Sequence, residues 1–204
     1  MRRSSIVVVI AFALIGVLGG VAPVFAQEAS PAAEPIIVPA PNQCIVEPRE
    51  AAAVAVIAAS PAAEAASPAA MAEGEPADRT VRAAVLDTVR QALACTNAGN
   101  HLALYALYTD AYLAANPPTA DELAALEVDP VPLTGDLAAL LAIGDVLALA
   151  DGRVAVTVDV IDPTADTPGP VRIHYTMVEQ DGRYVIDDAA SEPIDLSQVG
   201  TPAA

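Results

Sequence analysis

The sequence predicts an α+β domain in which three helices precede an antiparallel sheet, and three observations predict it. Apolar residues recur at helical spacing from Asp78 to Leu126 and switch to strict alternation after Pro132. Asp151-Gly152 and Asp181-Gly182 each sit between apolar runs, the strongest short signal for a hairpin. Helical and extended patterns occupy separate halves, which means α+β with helices packed on one face of a curved sheet and not a parallel α/β layer.

The first helix is predicted over Asp78 to Asn97. Val81, Val85, Val89 and Leu93 repeat at i+4, and Leu86 and Ala92 widen the stripe. Asp78 suits the N-cap, and Gly99 suits the left-handed position that ends such a helix. A second helix is predicted from Asn100 to Ala115, with Leu104, Tyr108 and Tyr112 in one row and Leu102, Tyr105 and Leu113 beside it; Pro117-Pro118 stops it. Thr119-Ala120-Asp121-Glu122 is a capping-box pattern and opens a third, short helix through Leu126. The strands follow. Gly144 to Leu149 leads into the first turn. Val154, Val156, Val158 and Val160 alternate with Ala155, Thr157 and Asp159. Val171, Ile173, Tyr175 and Met177 alternate with Arg172, His174 and Thr176, and Tyr184 to Ile186 completes the second hairpin.

What precedes this domain is of a different kind. Met1-Arg2-Arg3 is a positive start, Ile6 to Val21 is apolar, and Val24-Phe25-Ala26 offers small residues where a signal peptidase cuts, so residues 1–26 read as a secretory leader cleaved between Ala26 and Gln27. The rival is an uncleaved anchor, since the run approaches the ~20 residues that span a bilayer; Pro23 and the cleavage pattern favour removal, and the chain is expected to be secreted or extracytoplasmic, with no membrane attachment afterwards. Residues 27–77 are rich in Ala, Pro, Glu and Ser, with Ala-Ser-Pro-Ala-Ala starting at Ala29, Ala59 and Ala66. Such low complexity lacks the bulky apolar surface that offsets backbone ordering, so a disordered linker is expected. Val54-Ala55-Val56-Ile57 fits either a helical turn or a short strand. Residues 193–204 read as a tail.

The linker carries one of the two cysteines, Cys44; the other is Cys95. In an exported chain the pair reads most simply as a disulfide that straps the Cys44 segment onto the domain. A catalytic thiol would need a base beside it, and a metal site more ligands than two cysteines with His101 or His174 supply. No metal and no cofactor is expected.

Charge narrows the partners. The nine basic residues, all Arg, face 26 acids, a net charge of -17. Removing the leader takes away Arg2 and Arg3 and no acid, which leaves seven bases against 26 acids, a net of -19. Such a surface repels phosphate backbones and anionic lipid, so nucleic acid and membrane surfaces are excluded as partners.

The run from Thr88 through Cys95-Thr96-Asn97-Ala98-Gly99-Asn100 to Tyr105-Ala106-Leu107-Tyr108-Thr109-Asp110-Ala111-Tyr112-Leu113 resembles the opening helices of the nuclear transport factor 2-like superfamily, where a helix ends in an asparagine-small-glycine-polar step. Asp181-Gly182-Arg183-Tyr184-Val185-Ile186-Asp187 is similar to that family's closing strand, with Tyr184 where Trp is usual. The resemblance covers residues 78–192. It implies a cone-shaped sheet around helices, an apolar cavity, and frequent dimers, here through the sheet. Its members include isomerase- and cyclase-like enzymes, adaptors and secreted domains, so fold alone does not choose among them.

An isomerase of this fold needs an Asp base and hydrogen-bond donors facing each other in an apolar pocket. Asp110 with Tyr108, Tyr112 and Tyr175 is the best set on offer, yet Asp110 follows Thr109 at a turn where exposed carboxylates are common. His174 falls on the strand face opposite Ile173 and Tyr175, away from the cavity, and His101 opens a helix without an evident partner. No phosphate loop, Gly-x-Ser-x-Gly elbow or His-Glu-x-x-His is present. The expectation is a secreted binding module without catalysis, taking an apolar small ligand or a protein partner, with Tyr105, Tyr108, Tyr112, Tyr175, Met177 and Asp110 as pocket residues. The alternatives are a small isomerase or cyclase and a structural surface protein.

Overall fold

In the computed structural model the described residues are 36–61, 74–164 and 169–194. The leader, the Ala26–Gln27 cleavage point and the C-terminal tail lie outside them, apart from residues 193 and 194.

After α1 (Ala51–Ala58) and β1 (Glu75–Pro76), α2, Arg79–Asn97, forms where its periodicity places it. Asp78 caps it, its Oδ1 accepting from the amides of Thr80 (2.7 Å) and Val81 (3.0 Å). Gly99 ends it at φ +63°, where a Cβ would also collide with the Val131 carbonyl at 2.1 Å. The glycine therefore both turns the chain and lets the 127–133 loop lie against the end of α2.

The predicted second helix is two helices, α3 (His101–Tyr105) and α4 (Asp110–Ala115). The reason lies across the fold. The Thr109 amide donates to the Ile186 carbonyl (2.8 Å) and the Ile186 amide to the Leu107 carbonyl (2.7 Å), so the chain leaves helical geometry to pair with the last strand. Thr109 then caps α4, its hydroxyl accepting from the Tyr112 amide at 3.1 Å. The carbonyls freed at the break are bonded as well: Arg183 donates to that of Ala106, and Arg49 to those of Tyr105 and Tyr108. α5, Ala120–Ala125, carries the expected capping box between Thr119 and Glu122.

The sheet has five strands in sequence order, every pair antiparallel: β1 (Glu75–Pro76), β2 (Ala139–Ala148), β3 (Val154–Asp162), β4 (Gly169–Gln180) and β5 (Arg183–Pro193). Both predicted turns close hairpins. At the second, Asp181 (φ 52°) and Gly182 (φ 80°) are both left-handed, the backbone a two-residue turn between twisted strands requires. β2 starts five residues before Gly144, because register shifts after Leu140 and Ile143 break the alternation that would mark a strand. Another shift at Thr176/Met177 lets β5 keep Ile186 on the same face as Met177.

One face of the sheet is apolar. Val154, Val156, Val158 and Val160 lie opposite Met177, Tyr175, Ile173 and Val171 in register, and with Leu140, Val146 and Ile186 they share a core with Val85, Val89 and Leu93 of α2. Burying such a side chain contributes roughly 1.5–3 kcal/mol each. Thr88 ties α2 to β5, its hydroxyl donating to the Tyr184 carbonyl at 2.7 Å.

The expectation of a structureless stretch over 27–77 fails for residues 36–61. Ile37 bridges to Leu140 of β2, Pro41–Gln43 form a 3-10 turn, and Ala51–Ala58 form α1, which settles the Val54–Ile57 segment as helix with Val54 fully buried. Composition misleads here because the ordering comes from outside the segment. Cys44 is bonded to Cys95 of α2. Arg49 grips three groups of the α3–α4 joint: the Tyr105 and Tyr108 carbonyls and the Asp110 carboxylate. Asn97, wholly buried, donates through Nδ2 to the carbonyls of Pro39 (2.8 Å) and Ala138 (3.0 Å) and accepts from the Ala138 amide (2.7 Å). Sheet pairing likewise begins before Asp78, through β1 and the Ala77 amide on the Val146 carbonyl.

Candidate functional site

Between the end of α2, the α3–α5 segments and the far ends of β3, β4 and β5 lies a cavity of about 730 Å³, half open to solvent. Its floor follows from strand parity. Val160, Val171, Ile173, Tyr175 and Ala189 are on the apolar face of the sheet, and Leu93 and Ala92 close it from α2.

Tyr105, Tyr108, Tyr112 and Tyr175 all line it. The helix break brings the first three together: Tyr105 closes α3, Tyr108 sits in the joint and Tyr112 is one turn into α4, with the rings of Tyr108 and Tyr112 stacked at 4.8 Å between centroids. Tyr175 enters from β4. Among the described residues none of these four hydroxyls is hydrogen-bonded to the protein, and none is sealed away from the cavity. A phenol at this depth normally has a partner, so the four groups present open hydrogen-bonding capacity to whatever fills the space.

Their titration follows from that setting. Burial holds the Tyr108 and Tyr175 phenols well above the ordinary value of 10, reinforced by neighbouring tyrosines and by the Asp162 carboxylate. Burial also raises Tyr105, aided by Glu122, and Tyr112, aided by Asp188. A phenol whose folded pKa is raised contributes stability that is complete below the unfolded value and is lost as pH climbs toward the folded one. The domain should therefore lose stability above about pH 10, with the phenolates of Tyr108 and Tyr175 forming only as the fold opens. An alkaline titration following phenolate absorbance alongside circular dichroism checks this. All five tyrosines ionising near pH 10 in an intact fold would contradict it.

The remaining pocket candidates lie elsewhere. Met177 is fully buried in the core beneath Ile186 and Val154 and does not reach the cavity. Asp110 is the first residue of α4, largely exposed, and ion-paired with Arg49; it is not a lining residue. Its carboxylate faces an arginine of the Cys44 segment and no tyrosine hydroxyl, so the Asp/Tyr set that an isomerase needs is not assembled around it.

Three acidic residues do reach the cavity, Glu122, Asp129 and Asp162, along with His101 at the rim. Asp162 lies outside the expected set of pocket residues, although it continues the parity of Val154, Val156, Val158 and Val160 and so belongs to the inner face. One Asp162 oxygen accepts from the Thr164 amide (2.8 Å) and hydroxyl (2.7 Å). Val128 and Val131, both largely exposed, flank Asp129 on the loop held at Gly99 and add apolar surface to the mouth.

The opposite face of the sheet is polar, as parity predicts for His174. Its Nδ1 lies 2.9 Å from the Thr157 hydroxyl and its Nε2 3.6 Å from Glu192, while Arg172 and Asp159 form a two-pronged ion pair at 2.8 and 3.0 Å. No group of three or more His, Cys, Asp or Glu that could hold a metal occurs among the described residues, and no helix there is long and apolar enough to cross a membrane.

Set against models of protein families, curated proteins and solved structures, the chain matches none of them.

Proposed function

We propose that this chain is an exported, non-catalytic binding domain of the nuclear transport factor 2-like type, a cone whose curved sheet wraps its helices around one small ligand. The observation that carries the reading is the cavity itself: about 730 Å³ lined by four tyrosines whose hydroxyls have no protein partner among the described residues. That volume falls in the range of pockets that enclose small molecules, and its mix of apolar walls with a few converging polar groups is their usual composition. Export is supported by the leader pattern of residues 1–26 and by the Cys44–Cys95 bond, which an oxidising compartment favours.

Native mass spectrometry of the secreted protein, recovered without reductant, tests the reading. The expected result is a chain beginning at Gln27, two hydrogens lighter than the reduced form, carrying a small molecule that leaves on activation and whose retention falls at least tenfold in Ala189→Phe, where a ring fills roughly the space of several carbons. Recovery of a leader-bearing chain from the cytoplasm would overturn export. A variant retaining the same molecule undiminished would remove the cavity from the account.

A further inference from the structure

The charges around the cavity say what kind of molecule suits it. Seven arginines remain in the mature chain and none lines the cavity, while Glu122, Asp129 and Asp162 all do. Lysine is absent from the whole sequence. A ligand carboxylate or phosphate would therefore meet three carboxylates, with His101 at the rim as the one ionisable base among the lining residues.

Hydrogen-bonding capacity points the same way. Carboxylates only accept, and each phenol offers one donor against two acceptor lone pairs, so the lining is short of donors. The Glu122 capping bonds and the Thr164 bonds to Asp162 each occupy a single carboxylate oxygen, leaving the other free on both residues. Tyr108 and Tyr175 supply the second, independent observation. Both are half-buried and line the same cavity as Asp162, both are without a protein partner among the described residues, and the Asp162 carboxylate adds to the burial that holds both phenols above their ordinary value. Aromatic rings beside a carboxylate, in a cleft with an apolar floor, form the environment that stabilises a weakly hydrated organic cation.

We propose that the ligand is an organic cation, an amine or quaternary ammonium with an apolar body, its charged nitrogen seated among Tyr108, Tyr112 and Tyr175 with Asp162 as counter-ion. The apolar body lies against Leu93, Val160 and Ile173. The assignment rests on the cavity being the ligand site.

Three probes of similar shape separate the two ideas: benzyltrimethylammonium, its uncharged carbon isostere neopentylbenzene, and the anion 4-tert-butylbenzoate, each titrated into the disulfide-bonded mature chain while the tyrosine ring resonances are followed by NMR. The cation should bind at least tenfold more tightly than the isostere, the anion should not bind, and Asp162→Asn, which keeps the acceptor for Thr164, should weaken the cation about tenfold. The comparison within the unaltered chain stands even if that variant folds poorly. An isostere that binds as well as the cation overturns the cationic assignment and leaves the cavity as a neutral-ligand site. No shift of the tyrosine resonances with any probe overturns both.

Discussion

Replacing Cys44 and Cys95 together by alanine lowers the stability of the domain by about 4 kcal/mol, the loop-closure entropy that a bridge across some fifty residues removes from the unfolded chain. Urea unfolding of the mature protein with and without the substitutions measures it. The loss has a structural side too. Cys95 is fully buried on α2, and the segment it holds carries Pro39, Arg49 and Val54, each packed or bonded far from its own neighbours in sequence. A loss under about 1 kcal/mol would mean that Asn97 and Arg49 hold the segment without the bridge.

Asn97→Ala should be nearly as damaging, about 3–5 kcal/mol in the same measurement, because it leaves the Ala138 amide and the carbonyls of Ala138 and Pro39 without a partner in a site closed to water. An asparagine supplies two donors and one acceptor oxygen from a single side chain, and all three hydrogen bonds here are used. Asn97→Asp keeps the acceptor and sets a carboxylate oxygen against two carbonyls, so it should destabilise at least as much above the carboxyl pKa and recover partly in acid. An alanine variant within 1 kcal/mol of the parent would show that a water molecule replaces the amide.

The sequence carried these elements unequally. Caps and turns depend on residues a few positions apart, and Asp78, Thr119, Gly99 and the two Asp-Gly turns stand where local chemistry places them. The valine alternation of β3 reports burial on one face and was equally legible. What failed were features fixed by partners distant in the chain. The run from Leu102 to Leu113 keeps helical spacing, yet the open amides and carbonyls of β5 break it at Thr109. Residues 36–61 look too poor in apolar bulk to order; the disulfide, Arg49 and Asn97 tie them to the domain through contacts distant in sequence. For the cavity, the tyrosines were visible as an aromatic row. Asp110 is close to them in sequence, whereas Asp162, some fifty residues beyond Tyr108 and on another element, is the aspartate that lines the cavity beside them, with Asp129 at the mouth.

The placement of residues 36–61 and of the α3–α4 joint has a consequence for how the chain keeps apart from its copies. A sheet ends in two rows of open amides and carbonyls, and a bare row invites a neighbour to add a strand. Here Leu107 and Thr109 occupy the outer row of β5 at Ile186, and Ile37 with β1 occupies that of β2 at Leu140, Leu147 and Ala148. Reduction of Cys44–Cys95 would loosen the Ile37 guard beside Leu140-Leu141-Ala142-Ile143, an uncharged run suited to cross-strand growth. The bond that fastens the lead-in thus also helps keep one open row of the sheet covered.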